Sequence, residues 1–213
     1  TKSDVAPKRP SIRVIYPDRL FTQAFDDGLM PWRDWCEGTV MNAALESSGD
    51  RCARIFSYRT HAYMSTMIWE DWIDLNRHPV MSFDYRIPDE AALGFAVNLD
   101  EYFYLLPFSK RVKVDALNEK QRAEYVSPLV EGCVADNEWH TIEINLLDYL
   151  KTRFPDRTDF RIRDLRTQRM GGGNPLGIAC YFDNFSFHSR RPGTVKIGWR
   201  VDKTSKAVSY VLN

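Results

Sequence analysis

The chain has 213 residues, and its 29 basic side chains balance 29 acidic ones, so the formal net charge is zero. Without a positive excess, we expect neither a nucleic acid nor an anionic membrane surface as its partner. No apolar stretch approaches the ~20 residues that a transmembrane helix needs. Aromatic residues make up 13% of the chain, with 11 glycines and 11 prolines, which is typical of a β-rich domain with many turns.

The composition divides the chain into three parts. Residues 1–19 begin without Met, are polar and contain no apolar signal-peptide core, so we expect a lead-in segment cut from a longer protein. Residues 20–189 form the predicted domain. An Arg-Arg-Pro-Gly sequence then opens residues 190–213, which we interpret as a linker followed by strands of a neighbouring immunoglobulin-like domain, or else as an added edge hairpin.

The first half of the predicted domain contains four strand-like segments. Residues 38–46 and Cys52–Tyr58 flank a turn of Ser, Gly and Asp, and residues 59–78, rich in Met, Trp and His, are expected to be irregular. Pro79–Ile87 is the clearest strand because its apolar and polar residues alternate. Leu93–Leu99 follows after a Pro-Asp turn, and we expect these two strands to form a hairpin.

The second half adds further strands and one helix. Tyr102–Phe108 and Trp139–Asn145 are predicted strands, and Leu146–Phe154 has apolar residues every fourth position before a proline, which predicts a short helix. A strand near Phe160–Leu165 and a closing strand within Gly177–His188 follow. Eight or more short strands without a βαβ rhythm predict an all-β fold, an antiparallel β-sandwich of the jelly-roll type with one short helix.

Two residue types leave alternatives open. Asp183 interrupts the apolar closing strand, and a buried charge is costly unless it is paired or bound to a metal, so Asp183 needs a partner. Four cysteines are scattered without a CxxC pair, and three disulfide pairings are possible, although buried free thiols are the simpler interpretation. These are Cys36, Cys52, Cys133 and Cys180.

Several short motifs occur in one order along residues 20–189. They are Phe25 to Trp32, the Ser48-Gly49-Asp50 turn, Pro79 to Tyr85, Asp136 to Leu146, and the closing Tyr-Phe-Asp-Asn-Phe. Together these motifs resemble the galactose-binding-like β-jelly-roll domains, which include calcium-containing carbohydrate-binding modules of secreted polysaccharide-degrading enzymes. The likeness rests on the order and spacing of the motifs, since no single motif is diagnostic.

The resemblance implies a structural Ca²⁺ ion that joins the first strand, a turn and the closing strand. Asp26 and Asp183 would supply carboxylates, and Asp50 with its turn would supply a further oxygen, which suits the oxygen ligands that Ca²⁺ prefers. Otherwise Asp183 caps a turn or pairs with a basic residue. The resemblance also implies a secreted or cell-surface location, a polysaccharide or oligosaccharide partner, and adjacent domains in a longer chain.

Sugar binding requires exposed aromatic rings surrounded by polar groups. The candidate ligand contacts are Trp69 and Trp72, Tyr102 and Tyr104 on one strand face, and Arg166 in a predicted loop. For the tryptophans, a hydrophobic lid is the alternative. For Arg166 and the arginines near it, the alternative is a solvated surface of mixed charge. Phe103 and Leu105 are expected on the core face of their strand, and Trp139 is expected to pack.

The sequence favours a binding module over an enzyme. The Arg-x-Glu-x-Arg and Gln-Ile-His motifs of jelly-roll alginate lyases are absent, as are Gly-x-Ser-x-Gly, His-Glu-x-x-His and phosphate-loop patterns. We therefore predict a non-catalytic polysaccharide-binding module that targets an attached enzyme. The alternative is a structural or protein-interaction spacer in a multidomain surface protein. A jelly-roll glycoside hydrolase or polysaccharide lyase would need a groove lined by paired acids, or by Tyr, His and Arg.

Overall fold

The computed structural model describes residues 19–36, 39–44, 50–60, 64–99, 102–108, 130–169 and 174–189. Most of the lead-in segment and all of residues 190–213 lie outside this described part. Its strands are β1 (Arg19–Gln23), β2 (Arg33–Cys36), β3 (Thr39–Ala44), β4 (Arg51–Phe56), β5 (Ser65–Trp69), β6 (Ile73–Asp74), β7 (Val80–Arg86), β8 (Leu93–Leu99), β9 (Tyr102–Pro107), β10 (His140–Asn145), β11 (Arg161–Arg169) and β12 (Ala179–His188). The helix α1 (Leu146–Arg153) follows β10 directly.

The strands form two antiparallel sheets. The first sheet has the order β10-β7-β12-β4-β3, and β1 pairs with the second half of β12. The second sheet has the order β2-β5-β11-β8-β9, and β6 pairs with the start of β11. The two sheets pack face to face around one apolar core. The predicted all-β antiparallel sandwich with one short helix is therefore confirmed.

Aromatic rings hold the two sheets together. Phe83 of the first sheet meets Phe95 of the second sheet edge-on, with ring centres 5.2 Å apart. On its own sheet Phe83 stacks on Phe185 at 5.3 Å. Trp32 is only 2% exposed and meets Phe185 edge-on at 5.4 Å. Edge-on and offset-stacked geometries are the favourable ones for aromatic pairs, so these contacts fix how the sheets face each other.

The closing strand β12 changes register in its middle. Phe182 and Phe185 are both buried although three positions apart, which strict alternation would forbid. The pairing with β7 shifts between Asp183 and Ser186. Asn184 has a φ of 49°, in the left-handed region that asparagine adopts more readily than most residues. This β-bulge adds one residue and thereby turns the second half of the strand back to the core.

Two expectations about the first half of the domain were wrong. The strands predicted over Pro79–Ile87 and Leu93–Leu99 do not form a hairpin, because β7 belongs to the first sheet and β8 to the second. An apolar inner face looks the same in sequence whether two strands pair or oppose each other across a core. Residues 59–78 are not irregular throughout, because they contain β5 and β6. Four of the five residues of β5 are buried, which hides the alternation of a strand.

The predicted helix is confirmed as α1. The side chain of Asn145 caps its first turn by accepting a hydrogen bond from the backbone N–H of Asp148. Leu146 and Leu150 are buried on one side of the helix. Within the described residues, no helix has the length and apolar character needed to cross a membrane.

The bulge gives a first prediction. Replacing Asn184 with Ala removes an amide that donates to Asp84 and to Asp183, and leaves a residue that tolerates a positive φ poorly. We expect the free energy of unfolding to fall by about 1–3 kcal/mol, measured by urea denaturation. Asn184→Gly accepts the backbone angle without the amide, so comparing the two variants separates the two contributions. Unchanged stability in Asn184→Ala would contradict this account.

Candidate functional site

The outer side of the second sheet carries a cluster of aromatic and arginine side chains, which we call the Trp35 face. The guanidinium carbon of Arg166 lies 3.8 Å from the ring centre of Phe103 and 5.4 Å from that of Trp35. Arg33 lies over the same tryptophan at 5.5 Å. Guanidinium groups are attracted to aromatic rings by stacking and by the ring quadrupole. The cluster therefore joins β2, β9 and β11 into one surface.

Small residues of β8 leave the space for this cluster. Ala96 pairs with Arg166 on one side and with Leu105 on the other. Asn98, the next outer residue of β8, pairs with Phe103 of β9. Because Ala96 has only a methyl group, the side chain of Arg166 can extend across β8 to the ring of Phe103. The pattern of small residues on the outer side of β8 therefore sets the position of the guanidinium group.

Trp35 presents a large apolar ring to solvent, since 48% of the residue is exposed. Beside it, Arg33 and Glu70 form an ion pair of 2.6 Å, in which the side chains are 45% and 58% exposed. Exposed ion pairs contribute little to stability, typically about 0–1 kcal/mol. The pair therefore matters less for folding than for placing a donor group and an acceptor group next to the ring.

Further polar side chains of the second sheet are held in place by neighbours. The hydroxyl of Ser65 donates to Oε1 of Gln168 at 3.2 Å. Nδ2 of Asn98 donates to Oδ2 of Asp164 at 3.3 Å. These bonds orient the amide groups of β8 and β11. An exposed ring beside oriented polar groups suits a ligand that has both apolar surface and hydroxyl groups.

The two predicted tryptophans have different environments. Trp72 is 52% exposed, and the guanidinium carbon of Arg161 lies 5.9 Å from its ring centre. Arg161 is oriented by Asp159, with an N–O distance of 2.7 Å. Trp69, in contrast, stacks flat on Phe21 at 4.4 Å and packs against the core. Trp72 is thus available for a ligand, whereas the structure places Trp69 in packing at the edge of the core.

The predicted faces of β9 were wrong. Tyr104 is 3% exposed and lies in the core, where burial raises its pKa. Phe103 and Leu105 are partly exposed on the outer face instead. Both faces of this strand are apolar in sequence, so alternation alone does not show which one is the core. The side chain of Tyr102, the other predicted contact on this strand, lies outside the described part of the chain.

The three aspartates that the resemblance implies as calcium ligands do not gather into one cluster. Asp26 and Asp50 are exposed, outside the strands, and Asp183 is partly buried in β12. Among the described residues, no three acidic, histidine or cysteine side chains come together in a way that could hold a metal ion. Calcium binding by these residues therefore stays a prediction from the resemblance.

Asp183 has hydrogen-bonding partners on the outer side of the first sheet. The side-chain amide of Asn184 donates to Oδ2 of Asp183 at 3.3 Å and to Oδ2 of Asp84 at 2.7 Å. The backbone N–H of Asn184 donates to the other carboxylate oxygen of Asp183 at 2.7 Å. The hydroxyl of Thr141 donates to Oδ1 of Asp84 at 2.6 Å. These bonds stabilise two neighbouring carboxylates in an otherwise apolar part of the chain.

Comparisons with solved structures find carbohydrate-binding modules. A xylan-binding family 22 module of Paenibacillus barcinonensis has 13% identity and a TM-score of 0.40, over 86% of this chain and 97% of its own. A family 11 module of a Clostridium thermocellum cellulase has 13% identity and a TM-score of 0.43, over 84% and 95%. A family 30 module of another cellulase of that organism has 11% identity and a TM-score of 0.38, over 81% and 100%.

No protein-family model matches the chain, and no curated protein matches it. The xylan named for the family 22 module is a ligand of that protein, and the function of this chain has to be argued from its own residues.

The sequence predictions included only part of the Trp35 face. Arg166 was predicted as a ligand contact, although it lies within β11 and not in a loop. Trp35 and Phe103 were not among the predicted ligand contacts. The strand β2 has only four residues, too few to display a period. The small residues Gly94 and Ala96 at outer positions of β8 were the available signal, because they leave room for large side chains on the neighbouring strands.

Three cysteines of the described part, Cys52, Cys133 and Cys180, are free thiols. Burial, with a smaller contribution from the charge of Asp183, raises the pKa of Cys52 from 9.0 to about 11. Burial likewise raises the pKa of Cys133 to about 11. The folded chain therefore keeps these thiol protons at a pH where the unfolded chain loses them.

We expect the free energy of unfolding to fall as the pH rises from 9 towards 11, because the unfolded state then binds fewer protons. For Cys52 the slope should be at most about 1 kcal/mol per pH unit. Urea denaturation across this range measures it. Cys52→Ala should flatten the pH dependence, with Cys133→Ala as the matched comparison. An equally steep decline in a Cys52→Ala, Cys133→Ala double variant would contradict the assignment.

Proposed function

We propose that this chain is a non-catalytic module that binds polysaccharide on its Trp35 face. The half-exposed ring of Trp35, flanked by Arg33 and Arg166, is the observation that carries the proposal. A sugar ring has an apolar C–H face that packs on an aromatic ring and hydroxyl groups at its rim. Arg166 contributes N–H donors for those hydroxyls, and Glu70 contributes acceptors.

The proposed site extends along β5 to Trp72. Arg33 pairs with Met67 in β5, and Trp72 follows five positions later. At about 3.3 Å per residue, these five steps span at most roughly 16 Å. A separation within this limit leaves room for consecutive units of a sugar chain. We therefore propose Trp35 and Trp72 as two contacts along one oligosaccharide segment.

The same proposal gives the chain no hydrolytic role. The neighbouring carboxylates of Asp84 and Asp183 are bridged by the amide nitrogen of Asn184. That nitrogen lies between the two carboxylates. In a glycosidase this space must be open, because the two catalytic acids flank the scissile glycosidic bond. We further propose a secreted or cell-surface module that directs an attached polysaccharide-degrading domain to its substrate, because tethering raises the local substrate concentration for that domain.

The proposal predicts the effect of removing the ring. A glycan array selects the polysaccharide, and calorimetry then measures binding by Trp35→Ala. We expect the affinity of the Trp35 face to fall about 30-fold or more, since truncating a central aromatic contact typically costs about 2 kcal/mol. Tyr58→Ala, which removes an equally exposed ring (49%) outside this face, is the matched control and should bind normally. Absence of binding to every glycan by the wild type would overturn the proposal and favour the spacer function.

Arg166 offers a second test at the same site. Arg166→Lys keeps the positive charge but loses the planar group that stacks on Phe103 and the fork of N–H donors. We expect an affinity loss of about tenfold with unchanged thermal stability. Arg153→Lys, an exposed residue at the end of α1, serves as the control. Full binding by Arg166→Lys would show that the guanidinium group does not contact the ligand.

A further inference from the structure

The outer side of the first sheet carries its own row of aromatic and cationic residues, which we call the Trp139 face. Trp139 directly precedes β10, and the pairing of β10 with β7 therefore places Trp139 next to Arg86 of β7. Arg86 pairs with Tyr181 of β12, and Tyr181 pairs with Arg54 of β4. Trp139, just before β10, and one residue each from β7, β12 and β4 therefore form a row that crosses the sheet at right angles to the strands.

Contacts within this row keep the rings in place. The rings of Trp139 and Tyr181 lie 6.3 Å apart and are tilted by 55°. The guanidinium carbon of Arg86 lies 5.6 Å from the ring centre of Tyr181, and its Nε donates to Asn137 at 3.1 Å. Trp139 was expected to pack, yet 38% of it stays exposed. The row thus presents a supported indole ring to solvent.

A second row, of hydrogen-bonding groups, lies next to the first. Thr141 follows Trp139 by two positions, and the two are therefore about 7 Å apart on the same side of the sheet. Thr141 is opposite Asp84, which is opposite Asp183. Within the described part of the chain, Asp84 accepts one hydrogen bond on each oxygen, from Thr141 and from Asn184, whereas a carboxylate has about four acceptor sites. The oriented carboxylate of Asp84 therefore retains acceptor capacity.

The charges of the two rows select the kind of ligand. Two arginines in the first row, Arg54 and Arg86, face two aspartates in the second, Asp84 and Asp183. Equal numbers of opposite charges give the face no net attraction for a polyanion such as a nucleic acid or a sulfated glycan. A neutral chain of sugars supplies an apolar ring face for Trp139, hydroxyl donors for the carboxylates and acceptors for the guanidinium groups.

We propose that the Trp139 face is a second glycan-binding surface, which takes a neutral polysaccharide. The ligand class rests on the function proposed for the Trp35 face. Because the two sheets pack face to face, their outer sides point in opposite directions. One module therefore binds two polysaccharide chains, one on each side, and links them.

The test uses neutral probes: cellohexaose, xylohexaose and mannohexaose in calorimetry, and hydroxyethylcellulose, arabinoxylan and galactomannan in affinity gels. The wild type should bind two molecules of the preferred hexasaccharide per chain. Trp35→Ala and Trp139→Ala should each bind one, and the double variant none. On the corresponding polymer, each single variant should lose at least about tenfold in apparent affinity, because two linked sites bind more tightly than one.

Trp139→Phe keeps an aromatic ring and should retain the second site, which separates loss of the ring from loss of folding. Thermal melting of every variant checks the fold. Two results overturn the inference and are distinct from each other. If the wild type binds one hexasaccharide and Trp139→Ala binds the same amount, the second site is absent while the proposed function stands. If no probe binds to the wild type, the proposed function fails together with the second site.

Discussion

The β-bulge at Asp183 and Asn184 is the constraint on which the rest of the fold depends. Strand β12 is the middle strand of the first sheet, with β7 on one side and β4 and β1 on the other. Both halves of this strand must send phenylalanines into the same core. Only an extra residue with a left-handed backbone restores the alternation between them. The hydrogen bonds of the asparagine amide to two carboxylates accompany this backbone change and tie β12 to β7.

The same alternation produces the two outer faces. Since the core takes every second residue of each strand, the remaining residues form rows on the outside of each sheet. Where neighbouring strands supply a small residue, such as Ala96, a long side chain from the next strand lies across it and meets an aromatic ring. Arginines next to Trp35 and next to Tyr181 are held by this stacking. These contacts hold the aromatic rings on the outer faces, where they remain accessible to solvent.

Much of the fold was predictable from the sequence, and much of the site was not. Alternation over β7 and β8 and the leucine spacing of α1 gave those elements nearly to the residue. Pairing was not predictable, because an apolar inner face does not say which sheet a strand joins. Tyr104 shows the limit for the site, because a strand that is apolar on both faces gives no sign of its orientation. The outer face of β9 could be recognised only by considering the small outer residues of β8, the strand with which it pairs.

The balance of charge explains what kind of recognition this sandwich suits. Arginines and carboxylates lie next to each other on both outer faces. Where opposite charges are neighbours their fields largely cancel at short range, so a charged ligand gains little electrostatic attraction from either face. Recognition must then come from direct contact. Aromatic rings pack on the apolar faces of sugar rings, and oriented amide, guanidinium and carboxylate groups form hydrogen bonds with the sugar hydroxyls. An uncharged polymer with a repeating unit meets this requirement, because each repeat offers the same apolar face and the same hydroxyl rim.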